Sequence, residues 1–346
     1  MWSALFFSAV AQTIPPHRLA GWNRPGPADT LPVFSTVVNI MQHGAAADGV
    51  TPDDNALAAA IAALGNKPGT VYIPAGTYLF TLPVVIERDS LIIKGDGATT
   101  RLLFNADIPL YSPINIRGRM GEHPVPVQGN VYKNDSFLVI TATNDFRAGD
   151  YIYLSDSNEA LTTSAWALGW AGQILRLQRI NNDTLFLDHT VRRNYSQDKD
   201  ITIRRIRPVS YVGLECFYIE NLDLTVPRTN NIEFLFAANC WATGIESNMA
   251  NYAHLSLRAS THILVRGCYF HHAHSYGWQS EGYGVIAEFA TGDCLVENNI
   301  FEHLRHAMVV QAGANGNVLA NNYSTDPYWV HPSNPSDAGA DMVCHG

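Results

Sequence analysis

The C-terminal part of the chain repeats one short pattern at intervals that suit a stack of β-strand coils. An apolar residue and a variable residue are followed by Asn, Ser or Gly, and the intervals are 26, 20, 31 and 23 residues. The apolar positions are Ile219, Ile245, Val265, Val296 and Leu319. One turn of a parallel β-helix uses about this much chain, with apolar side chains stacked inward. The repeat predicts such coils from residue 208 onward, with a stacked corner formed by Asn221, Asn298 and Asn321.

The composition agrees with a β-rich protein and argues against some partners. Glycine and aromatic residues are plentiful, charged residues make up 15%, and one segment alone reads as an Ala-rich helix. The net charge is -9 and clusters of basic residues are lacking, so nucleic acid is not an expected partner. An anionic substrate would need a local basic patch, because the overall charge repels it.

Five cysteines lie in the second half of the chain, and the first four recur at intervals of 24, 28 and 26 residues. They are Cys216, Cys240, Cys268, Cys294 and Cys344. Because no C-x-x-C pair occurs, a zinc knuckle is not expected. We expect the four recurring cysteines to be buried, small apolar fillers of the coil interior.

The one clear helix is predicted after residue 50. Thr51 can cap it, Pro52 suits its first position, and Asp54 completes a capping box. An apolar stripe follows, made of Leu57, Ile61 and Leu64. Next come "TVYIPAGTYLF", a strand broken by a turn, and "SLIIKGDGATTRLLF", two predicted strands around Gly95–Gly97.

Over about residues 37–104 this order resembles the start of the pectate-lyase-like right-handed β-helix superfamily, in the branch of rhamnogalacturonases, epimerases and phage tailspikes. The residues that carry the resemblance are Gly44, Asp48, Gly49, Val50, Thr51, Asp53, Asp54, Pro74, Ala75, Gly76, Thr77, Tyr78, Gly95, Asp96 and Gly97. One departure is Gln42-His43, where the family usually has an aromatic residue. The resemblance implies an all-β protein, a right-handed parallel β-helix with an N-terminal capping helix, and a role in carbohydrate chemistry. It does not identify an active site.

Four segments are expected along the chain. Residues 1–20 contain an apolar run and an Ala9-Val10-Ala11 cleavage signature, which predicts a truncated signal peptide and a secreted, periplasmic or cell-surface protein. Residues 33–116 are expected to hold the cap and first coils, and 117–207 an inserted small antiparallel β subdomain. Residues 208–346 hold the remaining coils, which we expect to be truncated at "DMVCHG". No segment approaches the length of a membrane span.

Two tryptophans of the inserted segment, Trp166 and Trp170, stand four residues apart in a loop. Exposed, they could stack on sugar rings; buried, they would be core residues, and the burial interpretation is slightly favoured.

The candidate site begins with "HHAHSYGWQSEGYG" at residues 271–284, in the longest interval of the repeat. A β-helix accommodates extra length as loops outside its strands, and such loops often carry function. We therefore predict a loop that walls a saccharide groove. The expected substrate-binding residues are Gln311, His271, His274, Trp278, Glu281, Tyr283 and His303.

Charged residues in the neighbouring strands are the catalytic candidates. Arg258, Glu288 and Gln311 lie 7, 8 and 8 residues before their repeat positions, so they are expected to stack on adjacent coils of one face. A surface salt bridge and polar ladder explains this stack equally well. The full set of catalytic candidates is His306, Arg305, Glu288, Arg258 and Tyr276.

Three functions remain open from these residues. A polysaccharide lyase acting on a uronate polymer would use Tyr or His as base and acid, with Arg holding the carboxylate; this interpretation is slightly ahead. A glycoside hydrolase needs two carboxylates, for which Glu281 and Glu288 are the best pair, with Glu302 as a further candidate. A non-catalytic carbohydrate-binding or adhesion β-helix would use Trp278, Tyr276 and Tyr283 as its platform. The predicted partner is thus a polysaccharide, and an anionic polysaccharide is favoured over a neutral one.

Metal binding is only weakly indicated. His271, His272 and His274 show no recognised zinc spacing, so no metal ligand is assigned. Calcium stays open as a cofactor, although the carboxylates of the coils are scattered.

Overall fold

The computed structural model describes residues 24–27, 30–106, 112–141, 146–157, 159–224, 229–276 and 281–328, together with the backbone of 340–345. The predicted leader at 1–20, Trp278 and the side chain of Cys344 lie outside these residues. No helix in the described ranges is long and apolar enough to cross a membrane.

The chain is built almost entirely of short strands. The N-terminal part contains β1 (Val37–Asn39), β2 (Asp48–Pro52), helix α1 (Asp54–Ala63), β3 (Gly69–Tyr72), β4 (Gly76–Phe80), β5 (Val84–Ile86), β6 (Leu91–Phe104) and β7 (Ile114–Arg117). The next part contains β8 (Arg119–Met120), β9 (Val125–Pro126), β10 (Phe137–Val139), β11 (Tyr151–Ser155), β12 (Gln173–Asn181), β13 (Thr184–Leu187) and β14 (Thr202–Arg207).

The last part contains β15 (Val209–Ser210), β16 (Val212–Asn221), β17 (Ile232–Leu235), β18 (Ala237–Ala238), β19 (Trp241–Thr243), β20 (Glu246–Ala250), β21 (Ala253–Arg258), β22 (Leu264–Arg266), β23 (Tyr269–Ala273), β24 (Tyr283–Glu288), β25 (Leu295–Glu297), β26 (Ile300–Glu302), β27 (His306–Gln311), β28 (Val318–Ala320), β29 (Tyr323–Thr325) and β30 (Ala340–His345). Four-residue and three-residue 3-10 turns lie at Ile40–His43, Glu159–Leu161, Ala165–Ala167 and Gln197–Lys199.

These strands wind into a parallel β-helix with three sheets. Sheet A stacks β1, β3, the first half of β6, the first half of β16, β19, β22, β25 and β28. Sheet B stacks β2, β4, the second halves of β6 and β16, β20, β23, β26 and β29. Sheet C has the order β5-β7-β17-β21-β24-β27-β30. The predicted all-β, parallel β-helix fold is confirmed.

Apolar side chains from all three sheets fill the interior of the coils. Phe270 and Phe301 stack in successive coils with ring centroids 5.4 Å apart, and both are fully buried. Because side chains alternate along a strand, every second residue enters this core and the others face outward. The continuous core explains why single coils with short strands can be stable together.

The repeat alignment is right for three anchors and wrong for two. Val265, Val296 and Leu319 occupy one register of sheet A. Ile219 lies instead in the sheet B half of β16, where it pairs with Ser247, and Ile245 precedes β20. The same three-residue pattern therefore also occurs at the start of, or inside, sheet B strands, and the alignment slipped from one sheet to the next.

The corner between sheets A and B has a left-handed residue in the successive coils after residue 240. Gly244, Gly267, Asn298 and Asn321 have φ values of 63°, 64°, 55° and 52°. Glycine and asparagine tolerate this conformation best, which explains their recurrence. Asn298 and Asn321 are thus at the predicted corner, whereas Asn221 is buried elsewhere and accepts a hydrogen bond from the Asp223 amide.

A ladder of buried asparagines lies one residue beyond this corner. The Asn299 side chain accepts from the Cys268 amide at 2.9 Å and donates to the Val265 carbonyl at 3.1 Å. It also donates to Asn322 at 3.0 Å in the next coil. These bonds pair backbone groups that the turn leaves without a strand partner.

Three cysteines are buried in the interior as expected, namely Cys240, Cys268 and Cys294. Burial raises the pKa of the Cys240 and Cys268 thiols to about 12, which makes them poor nucleophiles. Cys216 is only half-buried, because it occupies a left-handed corner position with φ 55°.

Helix α1 packs on the start of the coil stack, as expected, but it begins later than predicted. Thr51 and Pro52 belong to β2, and the helix starts at Asp54. The Asp54 carboxylate accepts from the Thr81 and Leu82 amides, while buried Asp53 accepts from the Ala46 amide at 2.6 Å. These aspartates therefore tie the helix to neighbouring loops and have a structural role.

Strands β8–β14 form a separate antiparallel sheet with the order β10-β13-β12-β11-β14-β8 and a core of its own. We call residues 119–207 the inserted subdomain. It contacts the corner between sheets C and A, where the left-handed residues Asn239 and Asp293 bind Tyr151 and Arg192. A Cβ on Gly313, with φ 76°, would lie 2.1 Å from the Trp170 carbonyl oxygen, so this glycine permits the close approach.

Candidate active site

The predicted stack of Arg258, Glu288 and Gln311 exists on the outer side of sheet C, and we call it the Arg–Glu row. Arg258 pairs in register with Glu288, with Nε and Oε1 3.2 Å apart. Gln311 Nε2 donates to Glu288 Oε2 at 2.9 Å. The three residues end β21, β24 and β27, so the coil register alone brings them together.

The row includes a second carboxylate that sequence reasoning missed. Glu233 Oε2 lies 3.7 Å from Arg258 Nη1 and accepts from Asn230 Nδ2 at 3.0 Å. Because Glu233 and Glu288 contact one guanidinium group, their carboxylates lie no more than roughly 9 Å apart, a limit that both retaining and inverting glycosidases satisfy. Glu233 pairs in register with Ser256, not with Arg258, so counting along the repeat could not have found it.

Glu288 is the carboxyl group best suited to proton transfer. Glu288 is 4% exposed. This burial raises the pKa of its carboxyl to about 7, although the positive charge of Arg258 acts to lower it. The Arg258 side chain is 38% exposed and reaches solvent from the same row. A carboxyl group that gains and loses its proton near neutrality can act as a general acid or base.

A second group of candidates lies at the opposite end of the sheet C strands, and we call it the aromatic row. Tyr283 pairs in register with His306, and their rings stack with centroids 5.3 Å apart. The Arg305 guanidinium lies 5.7 Å from the Tyr283 ring centroid and donates to its hydroxyl at 3.5 Å. Arg305 and His306 are 6% and 4% exposed, so both are buried rather than displayed on a loop.

Tyr252 links the two rows. Its ring packs edge-on against Tyr283 at 5.3 Å, and its side chain hydrogen-bonds that of Gln311. Burial and the charge of Glu288 raise the pKa of the Tyr252 hydroxyl, which keeps it protonated near neutral pH. No feature of the repeat distinguishes this tyrosine in the sequence.

The remaining candidates lie at the corner between sheets B and C. His303 stacks 5.1 Å from His272, and its Nδ1 lies 2.9 Å from Asp326 Oδ2. Tyr276 stacks on Tyr328 at 4.1 Å, and its hydroxyl accepts from the Ala273 amide at 2.9 Å. Burial raises the pKa of Tyr276, which does not favour it as a base.

Most histidines of "HHAHSYGWQSEGYG" are not in a loop. His271 belongs to β23 in sheet B, where its Nε2 lies 3.4 Å from Glu246 Oε1, and burial lowers its pKa. His274 Nε2 donates to the Asn221 carbonyl at 2.7 Å. The extra length of this coil lies after β23, between residues 274 and 282.

Glu281 cannot pair with Glu288 in hydrolysis. It accepts from the Ser275 hydroxyl at 2.6 Å before β24 begins, whereas Glu288 ends that strand. The length of β24 alone separates its two ends by roughly 17 Å, well beyond the spacing of a catalytic carboxylate pair. Glu302 faces outward from sheet B and is also remote, since its carboxylate accepts from Tyr269.

Among the described residues, no group of three or more His, Cys, Asp and Glu side chains is arranged to hold a metal ion. A cavity of about 110 Å³ lies where the inserted subdomain meets the coil corner, beside His189, His262 and Tyr211. The Asp188 carboxylate raises the pKa of His189 there. None of the predicted site residues lines this cavity.

Comparison with known families agrees with this architecture. Residues 37–279 match the model of the family described as rhamnogalacturonase A/epimerase, pectate lyase-like. The chain belongs to this family. The match runs from β1 to the loop after β23, so it includes the capping helix, the inserted subdomain and the first coils of sheet C.

Solved structures of similar fold include several phage proteins. The tailspike of Pseudomonas phage phi297 has 14% identity and a TM-score of 0.53, over 85% of this family member and 66% of the tailspike. The tailspike of Acinetobacter baumannii bacteriophage AP22, solved with a capsular saccharide, has 9% identity and a TM-score of 0.45, over 84% and 58% of the two chains.

The mannuronan C-5 epimerase A-module of Azotobacter vinelandii has 13% identity and a TM-score of 0.47, over 84% and 56% of the two chains. The chain therefore spans less than two thirds of the length of these proteins. No curated protein sequence matches it.

Proposed function

We propose that this family member is a glycan-processing enzyme that hydrolyses a polysaccharide at the Arg–Glu row. The observation that carries the proposal is the pair formed by Glu233 and Glu288, which share Arg258 and differ in burial. Membership of a family named for a rhamnogalacturonase and an epimerase supports a saccharide substrate. Because such polymers lie outside cells, the proposal includes export.

The environments of the two carboxylates assign their roles. At neutral pH a large fraction of Glu288 carries its proton, since its pKa is about 7, and it can donate that proton to the glycosidic oxygen. Glu233 can accept a proton from the attacking water. Arg258 holds both carboxylates at a fixed separation without needing to contact the leaving group.

Charge balance favours hydrolysis over elimination at this row. Elimination from a uronate needs a cation to neutralise the substrate carboxylate. The charge of Arg258 is already opposed by Glu233 and Glu288, at 3.7 Å and 3.2 Å. An anionic sugar would therefore meet a row with no positive excess, in a chain whose net charge is -9.

Elimination of an anionic polysaccharide is the second candidate, and the aromatic row supports it. His306, Tyr283 and Arg305 supply an imidazole, a phenol and a guanidinium in mutual contact. These are the group types that remove a proton beside a carboxylate and hold that carboxylate. In this reaction His306 would be essential and Glu233 would not.

One experiment separates the two reactions. The protein is incubated with neutral and uronate-containing polysaccharides, and reducing ends, absorbance of unsaturated products and the anomer first released are all measured. Hydrolysis predicts new reducing ends without unsaturated product, and an inverted anomer. Both Glu288→Gln and Glu233→Gln should lower kcat by roughly 10²–10⁴-fold, the usual contribution of acid–base catalysis.

Glu297→Gln is the matched control, because Glu297 also pairs with an arginine, Arg266, but in sheet A. Its activity should equal that of the wild type. Full activity in both Glu288→Gln and Glu233→Gln would refute hydrolysis at this row. Unsaturated products that disappear in His306→Ala would replace it with elimination.

A further inference from the structure

The inserted subdomain presents an exposed apolar edge beside the Arg–Glu row, at residues 159–168, which we call the lip. Leu161, Trp166 and Leu168 are 48%, 50% and 45% exposed. Trp166 lies in the 3-10 turn Ala165–Ala167 and not in the subdomain core, which corrects the burial interpretation for this residue. Three large apolar side chains exposed within eight residues form a patch, and such patches often mark binding sites.

The lip is joined to the candidate catalytic carboxyl by direct contacts. The Trp166 ring meets the Phe289 ring edge-on, with centroids 6.0 Å apart and planes at 85°. Phe289 directly follows Glu288, and the Arg258 guanidinium lies 4.8 Å from its ring centroid. One aromatic ring therefore separates the exposed tryptophan from the residue that holds both carboxylates.

Packing fixes the position of the lip. Trp170 is half-buried, and its ring contacts Phe289 at 5.1 Å and Tyr153 at 5.6 Å. The Tyr153 hydroxyl donates to the Gly169 carbonyl at 2.6 Å. The chain directly after the turn that carries Trp166 is thus held in place, which lowers the entropy lost when a ligand binds.

The charges of the lip select the kind of sugar. Glu159 is the sole charged residue of the sequence "SNEALTTSAWALGW" at 157–170. This stretch offers no cation to a uronate carboxylate, and its one charge repels it. A neutral pyranose has apolar C–H faces that can stack on an indole ring and hydroxyl groups that stay in water at its rim.

We infer that Trp166 forms a subsite for a neutral pyranose, one or more sugars away from the bond cleaved at Glu288. This inference rests on the proposed function only in placing the reacting bond. If Trp166 binds a neutral pyranose, the sugar of the substrate at this position is uncharged. The inserted subdomain is then part of the substrate groove.

The test measures binding without turnover. Glu288→Gln protein, with and without Trp166→Ala, is titrated by calorimetry with oligosaccharides from dextran, galactan and mannan, and with oligogalacturonate and oligomannuronate. We expect a neutral oligosaccharide to bind and Trp166→Ala to weaken its Kd about tenfold or more, as expected for loss of one aromatic contact and its buried area. Trp166→Tyr should restore most of the affinity.

Tyr132→Ala is the control, because Tyr132 is also an exposed aromatic residue of the subdomain, at 57%. It should bind as tightly as the parent. Binding of oligouronates alone, an unchanged Kd in Trp166→Ala, or binding of none of the five would overturn the inference. A Trp166-dependent Kd in a protein that releases no reducing ends would keep the subsite and refute hydrolysis.

Discussion

Replacing Glu288 by glutamine should change how stability depends on pH. The folded protein buries this carboxyl and raises its pKa to about 7, so folding favours the protonated form. Its contribution to stability is fully present below the ordinary value of 4.5, and it is lost as the pH rises through about 7. Glutamine cannot ionise, so the variant should not show this loss.

The size of the effect follows from the two pKa values. The difference between about 7 and 4.5, at about 1.36 kcal/mol for each pH unit, gives on the order of 3 kcal/mol. Near pH 5 the variant should be about as stable as the wild type, because Glu288 is itself largely protonated there and glutamine is a neutral side chain of similar size. Between pH 5 and pH 8 the free energy of unfolding of the variant, relative to that of the wild type, should rise by up to about 3 kcal/mol.

The measurement is urea unfolding followed by fluorescence of the seven tryptophans, at several pH values between 4.5 and 8.5. Other titrating groups cancel when the variant is subtracted from the wild type. Glu297→Gln reports what loss of an Arg–Glu ion pair does by itself. If the Glu288→Gln difference is the same at pH 5 and pH 8, Glu288 is ionised throughout and cannot be the acid.

Three further substitutions test the scaffold. Asn299→Ala leaves the Cys268 amide and the Val265 carbonyl without their partner, so urea unfolding should show about 1–3 kcal/mol less stability. Gly313→Ala places a Cβ 2.1 Å from the Trp170 carbonyl, so limited proteolysis should cut the inserted subdomain faster. His254 is fully buried and its pKa is lowered to about 3, so its stabilising contribution is lost as the pH falls from 6.5 towards 3. In His254→Gln, acid unfolding monitored by circular dichroism should be correspondingly less steep.

The sequence predicted the β-helix coils, but it did not predict which residues occupy equivalent positions in successive coils. Val265, Val296 and Leu319 align because strands of sheet A recur at 31 and 23 residues. Ile219 and Ile245 match the same three-residue pattern but precede or lie in sheet B strands. Asn221 and Ser247 complete the same pattern inside strands and are not left-handed, so residue types alone cannot distinguish a strand position from a corner.

The Arg–Glu row was predictable, whereas its second carboxylate was not. Arg258, Glu288 and Gln311 share one register, and counting back from the repeat finds them. Glu233 reaches Arg258 from a neighbouring register two residues away, through the length and direction of its side chain. The spacing of residues along the chain does not show which neighbouring positions on a sheet a long side chain can contact.

The sequence analysis singled out Trp166 and Trp170 as a pair, but the position of Trp166 could not be predicted from the sequence. Trp166 meets Phe289 across more than a hundred residues of chain, because the inserted subdomain folds back onto the coil corner. That contact depends on left-handed residues such as Asn239 and Asp293, which turn their side chains outward towards the subdomain. The repeat pattern of the sequence does not indicate that Trp166 and Phe289 are in contact.

The spacing of the coils also explains why inversion is the expected stereochemistry. Neighbouring strands of a sheet lie about 4.8 Å apart, so carboxylates on adjacent coils fall near the spacing of retaining enzymes. Glu233 and Glu288 belong to β17 and β24, and β21 lies between them with Arg258. Two strand spacings and a register offset of two residues separate their backbones by roughly 12 Å, and the shared contacts with Arg258 limit the distance between their carboxylates to roughly 9 Å. The arginine of the middle coil lies between the two carboxylates and keeps them from direct contact, which favours the wider spacing of inverting enzymes over the closer spacing of retaining enzymes.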